Sequence, residues 1–431
     1  MAAGLSEYQS AINSLFARVT GATKFGLERT QKLLDRLGNP HGTFPSIHVA
    51  GTNGKGSVVA TLDALFTASG LRVGRYTSPH LIDFRERMAV GRFLISEEAV
   101  VRFLRDNQEF AEQIGATFFE ITTAMAFDHF ARSEVDIAVI ETGLGGRLDS
   151  TNVLGPIASV VTSIGLDHTD MLGESLEEIA GEKAGIFKAG AAAIIGEPDP
   201  SIAEFLALRA ASAGATHITI LDNAVQIENV EVTSTGTTFD LRGELSGNFS
   251  TPLIGQHQAR NTAIALLTAV RRSSMQSQLE ISNAEINQAL STITLPGRFQ
   301  RFEKYIFDVA HNPDGAHALA NAIREVDPVH PRTALVAVLG DKDWKGIMRE
   351  LVTAVDRLFI TMPPDAPAGR EFDPNEAYEY AISQNWNAEL DSNFDDAMTR
   401  IQKRCGTVVI TGSFHTVGAA LKRLLRSPIA G

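Results

Sequence analysis

The stretch SIHVAGTNGKGSVVATLDALF, from Ser46, constrains this chain more than any other. A short apolar run enters a glycine-rich turn, and a helix-like run leaves it. That order reads as strand, turn and helix. Backbone N–H groups in such a turn, with the helix N-terminus, form an anion site. Lys55 adds a mobile positive charge for a β- or γ-phosphate, and Ser57 falls at the helix start, where it can face the nucleotide's Mg²⁺. The spacing is not the usual G-x-x-x-x-G-K-[ST]. Val49 stands five residues before Gly54, and Gly56 separates Lys55 from Ser57. By itself the loop says nucleotide and leaves the reaction open.

The rest of the chain repeats the same alternation. Strand candidates are SIHVAG from Ser46, LRVGRY from Leu71, VDIAVIE from Val135, IASVVTSIG from Ile157 and AAAIIGE from Ala191. Helical patterns lie between them at Ser57–Ala68, Glu97–Gln113, Ile121–Arg132 and Leu176–Lys188. Alternation of this kind predicts a parallel sheet covered by helices. Residues Val225 to Thr251 are rich in β-branched residues and turns, which predicts a small antiparallel insertion, followed by the helix GQHQARNTAIALLTAVRR. After STITLPGR, from Ser291, the α/β pattern restarts with YIFDVA, TALVAVLG, RLFITMP and TVVITGS. The expected division is 1–295 and 296–431, the second unit being a smaller Rossmann-like α/β domain.

Composition closes off other classes. The net charge of −13 argues against a broad basic surface for nucleic acid. Cys405 is the only cysteine, so neither an intrachain disulfide nor a cysteine-based zinc site is expected. The start MAAGLSEYQSAINSL lacks a basic n-region and a long apolar core, and no apolar run reaches membrane-spanning length. These features predict a cytoplasmic protein.

Two further stretches end apolar strands, where α/β proteins place metal and catalytic groups. ETGLGGRLDSTN begins with Glu141, a carboxylate suited to Mg²⁺. TSIGLDHTDMLG carries His168 between Asp167 and Asp170. EKAGIFK follows, with Lys183 and Lys188 five residues apart and on different sides of a helix.

Taken together, these motifs resemble the folylpolyglutamate synthase family, including its bifunctional dihydrofolate synthase members, within the Mur ligase superfamily of ATP-dependent amide-bond ligases. The resemblance runs through GLERT near Gly26, AGTNGKGSV, TSPHL from Thr77, FFEITTAMAF from Phe118, ETGLGGRLDSTNV, TSIGLDHTDMLG, EKAGIFK, LPGRFQ from Leu295, DVAHNPDG from Asp308 and TGSFHTVG from Thr411. The last departs from the family form at His415 and Thr416. GTNGKG[ST] is that superfamily's phosphate loop, which accounts for the irregular spacing.

The resemblance implies a P-loop Mur-ligase-like domain followed by a ligase domain on the glutamate side. It places ATP on Thr52, Asn53, Gly54, Lys55, Gly56 and Ser57, with Asn261, Arg298 and Asp308 completing the nucleotide site and His311 beside it. Ser57, Ser78, Glu141, His168 and Lys183 are the implied Mg²⁺ ligands, for one or two ions, with Lys183 carried as a carbamate. Lys24, Phe25, Thr117, Phe118, Arg147 and Asp149 correspond to positions near the pterin substrate. The implied reaction joins L-glutamate to dihydropteroate and to reduced folates at the expense of ATP, the alternative being reduced folates without dihydropteroate, and a monomer is expected. A peptidoglycan-precursor ligase would need a UDP-binding domain that the roughly fifty residues before Gly51 are too few to form. A non-catalytic nucleotide switch would not need Arg298, Asp308 and His311.

Overall fold

The computed structural model describes residues 6–18, 26–276, 282–364, 366 and 369–425. Eight strands make the first sheet: β1 (Ser46–Ala50), β2 (Val73–Tyr76), β3 (Met88–Val90), β4 (Phe93–Leu94), β5 (Ile137–Glu141), β6 (Ala158–Val161), β7 (Ala192–Ile195) and β8 (His217–Ile220). Their spatial order is β4-β3-β2-β5-β1-β6-β7-β8. β2, β5, β1, β6, β7 and β8 pair in parallel, and at the edge β3 pairs antiparallel with both β2 and β4. Every residue of β1, β5, β6 and β7 is buried, as expected of parallel strands covered on both faces.

One face packs on the helices Lys55–Ala68 and Gln256–Gln276, through Val59, Leu62, Phe66, Ala263 and Ile264. On the other face the helices Glu7–Phe16, Glu28–Arg36, Glu97–Gln113 and Phe118–Arg132 gather around Phe127 and Phe130. Both rings are fully buried, and each contributes roughly 1.5–3 kcal/mol by leaving water. The predicted insertion is a three-stranded antiparallel sheet, β9 (Val225–Thr233), β10 (Gly236–Gly243) and β11 (Gly247–Thr251). Phe239 and Phe249 seal it onto the first core.

The second unit is a six-stranded sheet. Its strands are β12 (Gln300–Phe302), β13 (Tyr305–Asp308), β14 (Arg332–Val336), β15 (Arg357–Ile360), β16 (Ala388–Leu390) and β17 (Thr407–Thr411), ordered β12-β13-β17-β14-β15-β16. All pairs are parallel except β12 with β13.

Among the four helices expected between the strands of the first sheet, three boundaries differ. The first helix after β1 begins at Lys55, because Gly54 supplies the left-handed N-cap at φ 88°. The helix expected from Ile121 begins at Phe118, where Thr117 and Glu120 form a capping box. The helix expected to reach Lys188 stops at Ala184. Gly185 then passes so close to Arg147 Cα that a β-carbon would lie 2.4 Å from it. Among the described residues no helix is long and apolar enough to cross a membrane.

Candidate active site

The ends of β1, β5 and β6 bring the site together, since β1 lies between the other two. The phosphate loop leaves β1 at Gly51 and hangs on the end of β6. Thr52 N donates to Ser163 O at 2.6 Å, and Thr162 Oγ1 donates to Asn53 O at 2.6 Å. A β-carbon at Gly51 would sit 1.8 Å from Thr162 Oγ1, so only glycine permits this approach. Lys55 Nζ donates to Gly51 O at 2.9 Å and Thr52 O at 3.1 Å, folded over its own loop. Burial lowers its pKa, against the opposing attraction of Glu141 and Asp167. Ser57 is buried in the first helical turn.

Glu141 is the last residue of β5 and is 5% exposed. Burial raises its pKa, while Lys55 and the Ser78 N–H, 3.3 Å from Oε2, pull it back. Lys183 is 4% exposed, and its Nζ donates to Gly51 O at 3.0 Å. Burial, reinforced by the nearby Lys55 charge, pushes that amine down to about 7. The phosphate loop therefore has two lysines on one carbonyl, and the Glu141 carboxylate attracts the first of them.

His168 sits at φ 52°, just before a short helix. Burial and the Lys342 charge push its imidazole down to about 4, so the ring is neutral at physiological pH. Its Nδ1 is buried without a hydrogen-bond partner.

The second unit reaches this site from across the cleft. Asn53 and Asn312 exchange side-chain amide bonds at 3.1 and 3.4 Å. Lys342 Nζ donates to Asp167 Oδ1 at 2.5 Å and lies 3.0 Å from His168 Nε2. His311 Nε2 stands 3.6 Å from Asp167 Oδ2, with its Nδ1 on Val309 O at 2.9 Å. Burial alone would raise the Asp167 pKa, but His311, Lys342 and His168 together hold it well below the usual carboxylate range. Asp308 takes the N–H groups of Phe299 and Ala310 at 2.8 and 2.9 Å, and Arg298 lies over the Phe414 ring at 5.4 Å. Asn261 abuts Gly54, where a β-carbon would meet its Oδ1 at 2.4 Å.

These groups line one cavity of about 1370 Å³ between the two sheets. Residues 52–57, Ser78, Phe118, Glu141, His168 and Lys183 face it from one side, and Asn261, Arg298, Asp308 and His311 also face it. Three implied substrate residues are placed differently. Thr117 caps a helix. Arg147 pairs with Glu182 at 2.8 Å. Asp149 accepts the N–H groups of Gly143 and Leu144 at 2.9 and 2.8 Å and of Thr151 at 3.0 Å. None of the three lines the cavity, although the Gly143–Gly145 loop that Asp149 holds does. Lys24 and Phe25 lie outside the described residues.

Sequence reading missed Lys342 and gave Asp167 no role. The available signal was LGDKD, a lysine between acids just beyond the apolar strand β14.

Among the described residues no three His, Cys, Asp or Glu side chains form a ready metal cage. The donor set nevertheless fits a hard divalent cation. It comprises a buried carboxylate, serine hydroxyls and a neutral imidazole whose Nε2 faces Lys342 and whose Nδ1 has no partner.

A phosphate loop on one α/β unit, facing a second α/β unit across a shared cavity, defines a nucleotide-dependent ligase of the Mur type. Residues 49–269 match the Mur ligase middle domain and residues 297–414 match the Mur ligase glutamate ligase domain. The chain is 34% identical to the dihydrofolate synthase/folylpolyglutamate synthase of Bacillus subtilis, over 97% of this chain and 99% of that one. The Escherichia coli protein of the same name is also 34% identical, over 98% and 96% of the two chains. The folylpolyglutamate synthase of Mycobacterium tuberculosis complexed with ADP superposes with a TM-score of 0.88 at 33% identity, covering 98% of this chain and 99% of that one. A bifunctional folylpolyglutamate synthase/dihydrofolate synthase with Mn, AMPPNP and L-glutamate bound gives 0.81 at 33% identity, over 96% and 98%. The chain belongs to the dihydrofolate synthase/folylpolyglutamate synthase family and is an ATP-dependent acid–amino-acid ligase.

Proposed function

We propose that this chain joins L-glutamate to dihydropteroate, forming dihydrofolate, and to the glutamate tail of reduced folates. The observation that carries the reading is the single cavity onto which the phosphate loop, Glu141, His168, Arg298, Asp308 and His311 all open. The E. coli relative has been solved in complex with DHPP and ADP, which supports a nucleotide and a second small-molecule ligand on this fold.

A carboxylate cannot expel oxide, so it must first be activated. The acceptor's carboxylate oxygen attacks the γ-phosphorus of ATP, ADP leaves, and an acyl phosphate forms. Lys55 swings from its loop carbonyls to the γ-phosphate and offsets the growing charge. The amine of glutamate then attacks the acyl carbon, and phosphate departs with one oxygen of the original carboxylate. His311 would receive the amine's proton at Nε2, 3.6 Å from Asp167 Oδ2, and the carboxylate would stabilise the resulting charge. Mg²⁺, as one or two ions on Ser57, Ser78, Glu141, His168 and Lys183, would neutralise phosphate charge.

Lys183 fits a carbamate because its amine is held near 7 and carbon dioxide adds to the neutral form. Residues 1–295 carry the nucleotide and the pterin acid, and residues 296–431 bring glutamate. Asp149 and Thr117 act on the pterin side by holding the 143–145 loop and the start of the helix at Phe118. The protein works as a cytoplasmic monomer. An acceptor labelled with ¹⁸O in its carboxylate tests the route: one label should appear in the released phosphate. Unlabelled phosphate would exclude the acyl phosphate.

A further inference from the structure

Lys342 balances the Asp167 carboxylate and makes a second contact beside it. Its Nζ already has Asp167 Oδ1 at 2.5 Å, yet it also lies 3.0 Å from His168 Nε2. An ammonium carries only donors, so in this contact Nε2 must be the acceptor. The neutral ring then bears its proton on Nδ1. That Nδ1 is buried and has no acceptor.

Both outcomes conflict with metal ligation. A cation at Nε2 would need the lone pair that Lys342 holds. A cation at Nδ1 would need the proton moved to Nε2, where it would point at the ammonium. We propose that Lys342 and a divalent cation on His168 exclude one another, so that metal loading withdraws Lys342 from the imidazole and leaves it on Asp167. The exchange couples the units, because His168 and Asp167 belong to the first and Lys342 to the second. Release strands no charge, since the Asp167 carboxylate remains as partner. A cation at Nδ1 would also replace a buried unpaired N–H by a satisfied group. This inference rests on the reading of His168 as a metal ligand.

Two measurements on the full chain test it. The first is Mn²⁺ binding, followed by the EPR signal of free Mn²⁺ in wild type, His168→Ala and Lys342→Met. The expected result is weaker binding in His168→Ala and binding about tenfold tighter in Lys342→Met. If His168→Ala binds Mn²⁺ like wild type, His168 is no ligand and the inference falls with that reading. If His168→Ala is weakened but Lys342→Met is unchanged or weaker, His168 stands as a ligand and the exclusion is overturned. The second needs no variant that must fold and separates the contact from simple charge repulsion. Long-range ¹H–¹⁵N correlation of the metal-free wild type should find the His168 proton on Nδ1. A proton on Nε2 overturns the inference.

Discussion

At the residue scale, the site's chemistry comes from burial acting on a few charges. Glu141 is buried at the end of β5 and the half-buried Lys55 opens the helix after β1, and each shifts the other's affinity for protons. Neither is needed to fill a core. Lys55→Ala and Glu141→Ala should therefore stay folded by circular dichroism while glutamate-dependent ADP release falls by on the order of 100-fold or more. Normal turnover in either variant would remove it from the catalytic set. Lys183 has a different signature. With its amine near 7, the neutral fraction rises as pH climbs through that value and the protonated fraction dominates below it. Supplied with ¹³C-bicarbonate, the protein should give a carbamate carbon resonance that grows between about pH 6 and 8. Lys183→Ala should lack it. Absence of the resonance from wild type at pH 8 would leave Lys183 as an amine donor to Gly51 O.

At the scale of elements, the loops are held by acceptors rather than by packing. Asp149 takes three backbone N–H groups and the Thr151 hydroxyl, and His48 Nε2 continues that chain to Thr151 Oγ1 at 2.8 Å. An amide has one acceptor oxygen for those four donors. Asp149→Asn should cost about 2 kcal/mol in urea unfolding and loosen the Gly143–Gly145 wall of the cavity. An unchanged unfolding midpoint would contradict that role.

This is also where the sequence was readable and where it was not. Strand ends that carry Glu141 and the phosphate loop stood out because apolar runs stop abruptly at polar residues. β8 did not stand out, being a four-residue strand with two exposed residues. The role of Asp149 was hidden because a turn acid that binds backbone and one that binds ligand have the same local sequence. Lys342 was hidden for a geometric reason: its partners Asp167 and His168 lie 175 and 174 residues away. No periodicity reports a contact across a cleft.

At the scale of the whole molecule, the cleft is built by contacts that both units must complete. Besides Asn53–Asn312 and Asp167–Lys342, the loop after Ser78 reaches into the second unit. Leu81 and Ile82 pack on the core of β13 and β17, and a β-carbon at Gly418 would come 2.0 Å from Leu81 O. Glu86 fixes that loop by accepting from Leu81, Ile82 and Asp83 N at 2.7, 3.0 and 2.7 Å. Ser78, next to Glu141, is thus tied through a short rigid loop to the unit that carries His311. Bringing an activated acid and an amine together across such a cleft converts a bimolecular reaction into one of position.

Activation of a pterin acid for glutamate in this cavity can be measured with purified protein supplied with ATP, Mg²⁺ and L-glutamate, and offered dihydropteroate or tetrahydrofolate in separate reactions with products identified by mass. One ADP and one phosphate are expected for each amide formed, with dihydrofolate from the first acceptor and a tetrahydrofolate extended by one glutamate from the second. ATP turnover without an amide product, or no product from dihydropteroate, would contradict that expectation.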